Sequence, residues 1–383
     1  MVLGSIFYAT NSAIMGDGVP PFFVKRFPFL DWMRGLAVVI MIQCHTFNSF
    51  SRMDIREQGP YVLSQFVGGM AAPLFLFMAG MTMAFQMDSL QKRESSLLRR
   101  WLISLKRAGY ILVLAFLFRF SNWLLSFPKG TFAELMKVDI LNCMGLALVV
   151  LSAVAVFDAN GRARYALAAG LAIAGLAPVM SNLNWTAAPP LLQEYLVPVA
   201  ARARFPFFPC AGYAAFGLAV GTVVKHTPEE RFERVMQWGI LIGFGLILVA
   251  QYLSNLPYSI YAKSDFWSNN PTLILIRGGI SLVIMAGAFV WTEYAAGTGW
   301  SWMQCLGKNS LQVYWVHVML VYGIIAAPVK RTMTAWQAAL ATALVTVLMI
   351  WMSNAWLEWK QRRRARQPVA HAVAAVGQIP LMD

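Results

Sequence analysis

The first apolar segment of the sequence carries a carboxylate, a guanidinium and an imidazole at helical spacing. Arg34 follows Asp31 by three residues, and His45 follows Arg34 by eleven. Eleven residues are three helical turns plus about 20°, so a helix places Arg34 and His45 on one face, ~16 Å apart along the axis. Asp31 lies within about 40° of the same face as His45. Ionisable groups are costly inside a membrane, so this stripe is a candidate functional site.

Each of these residues also has a structural interpretation. Asp31 and Arg34 could form a salt bridge at a helix start, where a carboxylate suits the helix dipole, and this is compatible with ligand binding by Arg34. His45 could be an interfacial histidine that bonds to a neighbour. As functional groups, a guanidinium suits phosphate, and an imidazole suits a general base or a nucleophile.

The elements that carry this stripe are predicted to be membrane-spanning helices. The apolar fraction is 58% and the charged fraction 13%, and apolar runs near 20 residues recur along the 383-residue chain. Such runs match an ~30 Å hydrocarbon layer, and the alternating segments of a β-barrel are missing. We therefore predict an all-α, polytopic bundle of about ten transmembrane helices. The predicted spans are roughly 30–50, 61–86, 101–126, 139–157, 165–182, 206–224, 236–255, 272–294, 303–326 and 335–357.

The charge pattern predicts how the chain lies in its membrane. The net charge is +14, but the basic residues form short runs between apolar segments, which favours lipid headgroups over nucleic acid. Both termini are predicted to be cytoplasmic, with the long loops at 183–205 and 256–271 facing outward. We predict a lead-in at 1–26, one membrane domain at 27–360 and a cytoplasmic basic tail at 361–383, disordered after Arg366.

Four motifs occur in order along the chain: LDWMRGLA at 30–37, APLFLFMAG at 72–80, DILNCMG at 139–145 and LGKNSLQVYWVH at 306–317. Together they resemble the transmembrane acyltransferase superfamily. The Arg34-to-His45 spacing is similar to the signature of the acyltransferase-3 family. The second and third motifs look more like the heparan-α-glucosaminide N-acetyltransferase branch, although Asn142 stands where a glutamine is usual.

The resemblance implies transfer of an acyl group, usually acetyl, from cytoplasmic acyl-CoA to a carbohydrate hydroxyl or amine on the outer side. The acceptor would be a sugar or glycolipid, in a bacterial inner membrane. His45 is then the expected catalytic base or acyl carrier, and His317 a second imidazole that orients it or holds an oxyanion, unless His317 is a structural histidine between helices. Asp31, Arg34 and Asn142 are the expected donor-binding residues. No metal and no nucleic acid are expected.

Two other classes of function are compatible with buried charge. A transporter or flippase of a polar or sugar-bearing substrate would use Asp31, Arg34, Arg119 and His317 as a substrate or proton path. An interaction protein would leave charged residues inside the spans unexplained. An enzyme should work in detergent, whereas a transporter needs a sealed compartment.

Overall fold

All regular structure in the described part of the chain is helical. The computed structural model describes residues 27–94, 96–125, 131–199, 204–295 and 299–376, so the lead-in predicted at 1–26 lies outside the described residues. Within those ranges no strand forms, and one isolated bridge joins Ser51 to Met333. Backbone groups in hydrocarbon must be bonded within their own segment, which a helix achieves and an open sheet does not. The all-α prediction is confirmed.

Fourteen α-helices occur in these ranges. They are α1 Pro28–Phe50, α2 Gly59–Gly68, α3 Ala71–Gln91, α4 Leu97–Leu125, α5 Phe132–Leu135, α6 Ile140–Ala155, α7 Ala159–Asn182, α8 Pro190–Leu196, α9 Phe207–His226, α10 Glu229–Ser254, α11 Pro271–Val290, α12 Trp302–Lys308, α13 Ser310–Tyr322 and α14 Ala335–Val376. A π-helical turn continues α11, and 3₁₀ turns follow α1 and α13.

Seven helical segments among the described residues are long and apolar enough to cross a membrane. They are α2 with α3, α4, α7, α9, α10, α11 with its π turn, and α14. The other three predicted spans fall on α1, on the 16-residue α6, and on the broken α12–α13 pair. The chain is therefore an integral membrane protein by its helices, whereas the count of ten spans is not confirmed.

Small residues bring the helices of the core into backbone contact. A side chain at Gly80 of α3 would collide with the backbone of Ala214 in α9. Similarly, Gly35 of α1 faces the backbone of Met303 in α12, and Gly307 of α12 faces the backbone of Asp31. Close approach through small residues is the usual way that helices associate in lipid, where apolar burial provides little driving force. The α1–α12 contact fixes the start of α1, where Arg34 lies.

Two predicted helix boundaries differ from the structure. The span expected at 303–326 breaks at Asn309, whose non-helical backbone separates α12 from α13. Its side-chain amide donates to the carbonyls of Cys305 (3.3 Å) and Ser353 (3.2 Å), which ties the break to α14. At the C-terminus, α14 continues through Val376, where a disordered tail is predicted after Arg366.

The polar connections gather at two opposite ends of the bundle. At one end, the fully buried Arg162 donates to Gln91, and His226 pairs with Asp88. At the other end, parts of the 183–205 and 256–271 loops lie against the His45 end of α1. The two loops predicted to face outward therefore share one end.

Candidate functional site

Two imidazoles meet at the centre of the candidate site. His45 lies near the end of α1, and His317 lies in the middle of α13. Their Nδ1 and Nε2 atoms are 2.9 Å apart, and the two ring planes differ by 9°. His317 is completely buried. The structure therefore brings together two histidines that are 272 residues apart in sequence.

The hydrogen bonds of the pair determine where its protons lie. His317 Nδ1 is 2.7 Å from the carbonyl oxygen of Val313, one turn earlier in α13. Because a carbonyl only accepts, His317 Nδ1–H donates, and the Nε2 atom of the neutral ring carries a lone pair. His45 Nδ1–H donates to that lone pair, which leaves His45 Nε2 unprotonated in the neutral pair. An imidazole held in this tautomer is ready to accept a proton.

Tyr322, at the end of α13, contacts the His45 ring from a second side and is hydrogen-bonded to Asn48 of α1. The ring of Tyr322 packs edge-on against His45 at a centroid distance of 5.4 Å. Asn48 Nδ2 donates to the Tyr322 hydroxyl (3.1 Å), and the Tyr61 hydroxyl donates to Asn48 Oδ1 (3.4 Å). The ring of His45 thus contacts His317 on one side and Tyr322 on another, and both of these residues come from α13.

His45 borders a cavity of ≈ 760 Å³ at its end of the bundle. The cavity is large enough for a ligand of sugar size. Its wall combines cations, an acid, amides and aromatic rings, and its polar groups come from the end of α1, from α2, from the start of α11 and from both long loops. These polar lining residues include Asn48, Gln65, Arg204, Asp265, Trp267, Asn270 and Arg277. Nearby, burial and then the charges of Arg119 and Arg204 lower the pKa of the Lys137 amine.

Arg34 borders a second cavity of ≈ 300 Å³. Its Nη2 donates to the Thr82 hydroxyl of α3 (2.7 Å), and its Nη1 lies 3.3 Å from Asp31 Oδ1. Thr82 in turn donates to the carbonyl of Met78 (2.8 Å). Arg107 of α4 lines the same cavity. Two guanidinium groups from different helices thus lie at the end of a largely apolar cavity.

The two cavities adjoin inside the bundle, because four side chains line both of them. These are Met41, Phe75, Ile140 and Tyr314. These four side chains therefore lie between the guanidinium groups beside one cavity and the imidazole pair beside the other. We call the line from the guanidinium groups, past these four side chains, to the imidazole pair the path. Two adjoining cavities with different linings can hold two substrates next to each other.

Residues 26–261 match the family model of the catalytic domain of heparan-α-glucosaminide N-acetyltransferase. The chain belongs to this family. The match covers more than half of the chain and includes Asp31, Arg34, His45 and Asn142, whereas His317 lies beyond it. No curated protein matches the chain. Family membership confirms the resemblance to the heparan-α-glucosaminide N-acetyltransferase branch, and the match includes the first three of the four motifs.

The structure separates the predicted site residues into two groups. His45 lines one cavity and contacts the buried His317, and Arg34 lines the other cavity. Asp31 is 8% exposed and forms the salt bridge that its spacing predicts. Among the residues that border the two cavities, Asp31 does not occur. Its contact with the donor stays a prediction, and its observed role is to hold Arg34.

Asn142 is placed by a capping box at the start of α6. Its side-chain oxygen accepts from the Asp139 amide (3.2 Å), while Asp139 Oδ1 accepts from the amides of Leu141 (2.9 Å) and Asn142 (3.1 Å). Asn142 Nδ2 donates to the Tyr195 hydroxyl (2.9 Å), and the residue is 2% exposed. Asp139 also pairs with Arg119 at 3.3 Å. The contacts of Asn142 are thus structural, and donor binding by Asn142 stays a prediction.

Several residues of the site were not singled out from the sequence. Thr82 contacts Arg34, Asn48 and Tyr322 lie beside His45, and Arg107 lines the Arg34 cavity. Asn48 lies one turn after His45 on the same helix face, so the helical period alone could have found it. Thr82 and Tyr322 carry no comparable signal, because their partners lie on other helices.

Proposed function

We propose that the protein is a membrane acetyltransferase that takes an acetyl group from cytoplasmic acyl-CoA and gives it to a carbohydrate on the opposite side. The observation that carries this proposal is the imidazole pair, of which His45 lines one cavity that adjoins the arginine-lined cavity. The transfer domain would comprise residues 27–360, with both termini in the cytoplasm of a bacterial cell. This orientation rests on the basic runs, which gather at the Arg34 end.

His45 would act as the general base. The acceptor hydroxyl or amine in the larger cavity loses its proton to His45 Nε2 as its oxygen or nitrogen attacks the thioester carbonyl. The carbon–sulfur bond then breaks, and the departing thiolate of CoA takes the proton back from His45. Correctly placed general bases typically contribute 10²- to 10⁴-fold in rate. His317 would keep His45 in the tautomer that this step needs.

A nucleophilic role for the same residue is a second form of this mechanism. His45 Nε2 would attack the thioester itself, release CoA and hold the acetyl group until the acceptor takes it. The lone pair that makes His45 a base also makes it a nucleophile, so the geometry supports both forms. They differ in one observable, since only the nucleophile leaves an acetyl adduct on His45 when donor is added without acceptor.

The donor would enter at the Arg34 end. Its phosphates carry negative charge that Arg34 and Arg107 can bind, and the narrow thioester arm suits the largely apolar walls between Arg34 and His45. Asp31 and Thr82 fix the Arg34 guanidinium. The axial separation of ~16 Å between Arg34 and His45 is the length that an extended arm must cover.

The acceptor would occupy the larger cavity, beside His45. Sugars are bound in proteins by hydrogen-bonding groups together with an aromatic face, and both line this cavity. Trp267 is 60% exposed, and Asn270 and Asp265 come from the same loop. A free sugar and a glycolipid headgroup share this chemistry. His45 can deprotonate either a hydroxyl or an amine, so the bound acceptor determines which of the two groups is acetylated.

One observation also favours a transporter, since the two adjoining cavities reach opposite ends of the bundle. The test is an assay of the purified protein in detergent with radiolabelled acetyl-CoA, using glucosamine and glucose as acceptor probes. We expect transfer of label to one of these sugars. His45→Gln should abolish transfer and keep the affinity for acetyl-CoA. Absence of transfer and of acetyl-CoA binding in detergent, with sugar movement across sealed vesicles, would establish the transporter instead.

A further inference from the structure

Four bulky side chains, three of them apolar and the fourth a tyrosine, lie where the two cavities of the path adjoin. Met41 comes from α1, Phe75 from α3, Ile140 from α6 and Tyr314 from α13, and each lines both cavities. We call these four residues the collar. Its members come from four different helices, so no single helix forms the boundary between the two cavities.

The collar lies about one helical turn from the imidazole pair. Met41 precedes His45 by four residues, which is ~6 Å along the axis of α1. Tyr314 precedes His317 by three residues, and their ring centroids are 6.0 Å apart. The Tyr314 ring packs against Phe118 of α4 at 4.8 Å, which restricts its movement. An acyl group on its way to His45 therefore passes the collar immediately before it reacts.

We propose that the collar selects the acyl group by its cross-section rather than by its length. This inference rests on the proposed function. The donor arm that follows the acyl group through the collar is itself an unbranched chain near its thioester end. An unbranched acyl group is no wider than that arm, so it passes the collar without any further displacement of the collar side chains. A branched or aromatic acyl group is wider, and packed side chains resist displacement from their rotamers.

The larger cavity explains why length should matter less than width. Once past the collar, the acyl group enters a space of ≈ 760 Å³. Two or three additional methylene groups in line with the arm fit into this space when no acceptor is present. A selection by length would instead require a closed pocket beyond the imidazoles. The collar thus predicts that acetyl-CoA and butanoyl-CoA bind similarly and that 2-methylpropanoyl-CoA binds more weakly.

Two neighbouring positions on α6 provide a matched pair of variants. Ile140 belongs to the collar, whereas Met144, one turn later on the same helix, lines only the smaller cavity. Ile140→Ala widens the collar, and Met144→Ala enlarges the donor cavity below it. Phe75→Ala widens the collar from α3, so it provides a second test if the Ile140→Ala protein does not fold. Melting temperatures of all three variants are measured with the affinities.

The experiment is calorimetry of the purified protein with acetyl-CoA, butanoyl-CoA and 2-methylpropanoyl-CoA, without acceptor. In the wild-type protein we expect 2-methylpropanoyl-CoA to bind about tenfold more weakly than butanoyl-CoA, the order of discrimination that one carbon produces in an apolar site. Ile140→Ala or Phe75→Ala should reduce that ratio toward one, and Met144→Ala should preserve it. Equal wild-type affinities for the linear and branched donors, or an equal reduction by Met144→Ala, would overturn the collar proposal. Failure of all three donors to bind would overturn the proposed function itself.

Discussion

The hydrogen bond from His45 to His317 predicts a specific pattern of rates when His317 is replaced. In His317→Leu, the replacement has a similar volume but cannot accept a hydrogen bond, so His45 Nδ1–H loses its acceptor in a buried place. In His317→Gln, the side-chain oxygen can still accept. If the role of His317 is to hold the tautomer of His45, Gln should preserve more activity than Leu.

The magnitude follows from the bond that is lost. An unsatisfied buried donor costs about 1–3 kcal/mol. If that cost is relieved by moving the proton to Nε2, the base is blocked for most of the time, and the rate falls by about 5- to 150-fold. The donor is held at the Arg34 end, so the KM for acetyl-CoA should not change. The loss should therefore occur in kcat.

The assay is the steady-state rate of CoA release at saturating acceptor, together with the melting temperature of each variant. His45→Ala serves as the reference for complete loss of the base. If His317→Leu keeps the wild-type kcat, the tautomer argument is wrong. If Leu and Gln reduce kcat equally while both lower the melting temperature, His317 has a packing role. If His317→Ala is inactive and His45→Ala keeps most of its turnover, the chemistry has been assigned to the wrong imidazole.

Three further predictions follow from the two ends of the path. Arg34→Ala should weaken acetyl-CoA binding by about 10- to 150-fold, because a charge-assisted contact of ~1.5–3 kcal/mol is lost, and Arg34→Lys should restore little of it. The exposed Arg99→Ala serves as the control, and unchanged affinity of a folded Arg34→Ala protein in calorimetry would remove Arg34 from the donor site. Ser264→Cys should be labelled by an impermeant maleimide on intact cells, while a cysteine in the 225–234 loop should be protected, and the reverse pattern would invert the orientation. If His45 is the nucleophile, mass spectrometry after addition of acetyl-CoA alone should show an acetyl adduct at His45. An unmodified His45 would exclude the nucleophilic form and support general-base catalysis.

The sequence was sufficient for the features that depend on local spacing. Length and hydropathy of the apolar runs predict helices in a membrane, because hydrocarbon leaves no other way to satisfy the backbone. The 3.6-residue period places Arg34 and His45 on one face of α1 before any fold is known. The salt bridge between Asp31 and Arg34 is predicted for the same reason, since residues three apart are neighbours on a helix. The resemblance in short motifs then predicted the family, which the match over residues 26–261 confirmed.

Tertiary structure decided which helices meet, and this is where the site acquires its chemistry. The contact between His45 and His317 joins residues 272 apart, and helix periodicity contains no information on such a pairing. Small residues such as Gly35 and Gly307 permit close contact, but glycines at many other positions could do so equally. Asn142 shows the same limit, because its capping partner is local but Tyr195 lies in α8, 53 residues later in the sequence. The sequence alone determined the chemical groups on each helix and their faces, while the packing of α13 against α1 decided which nitrogen of His45 carries the proton.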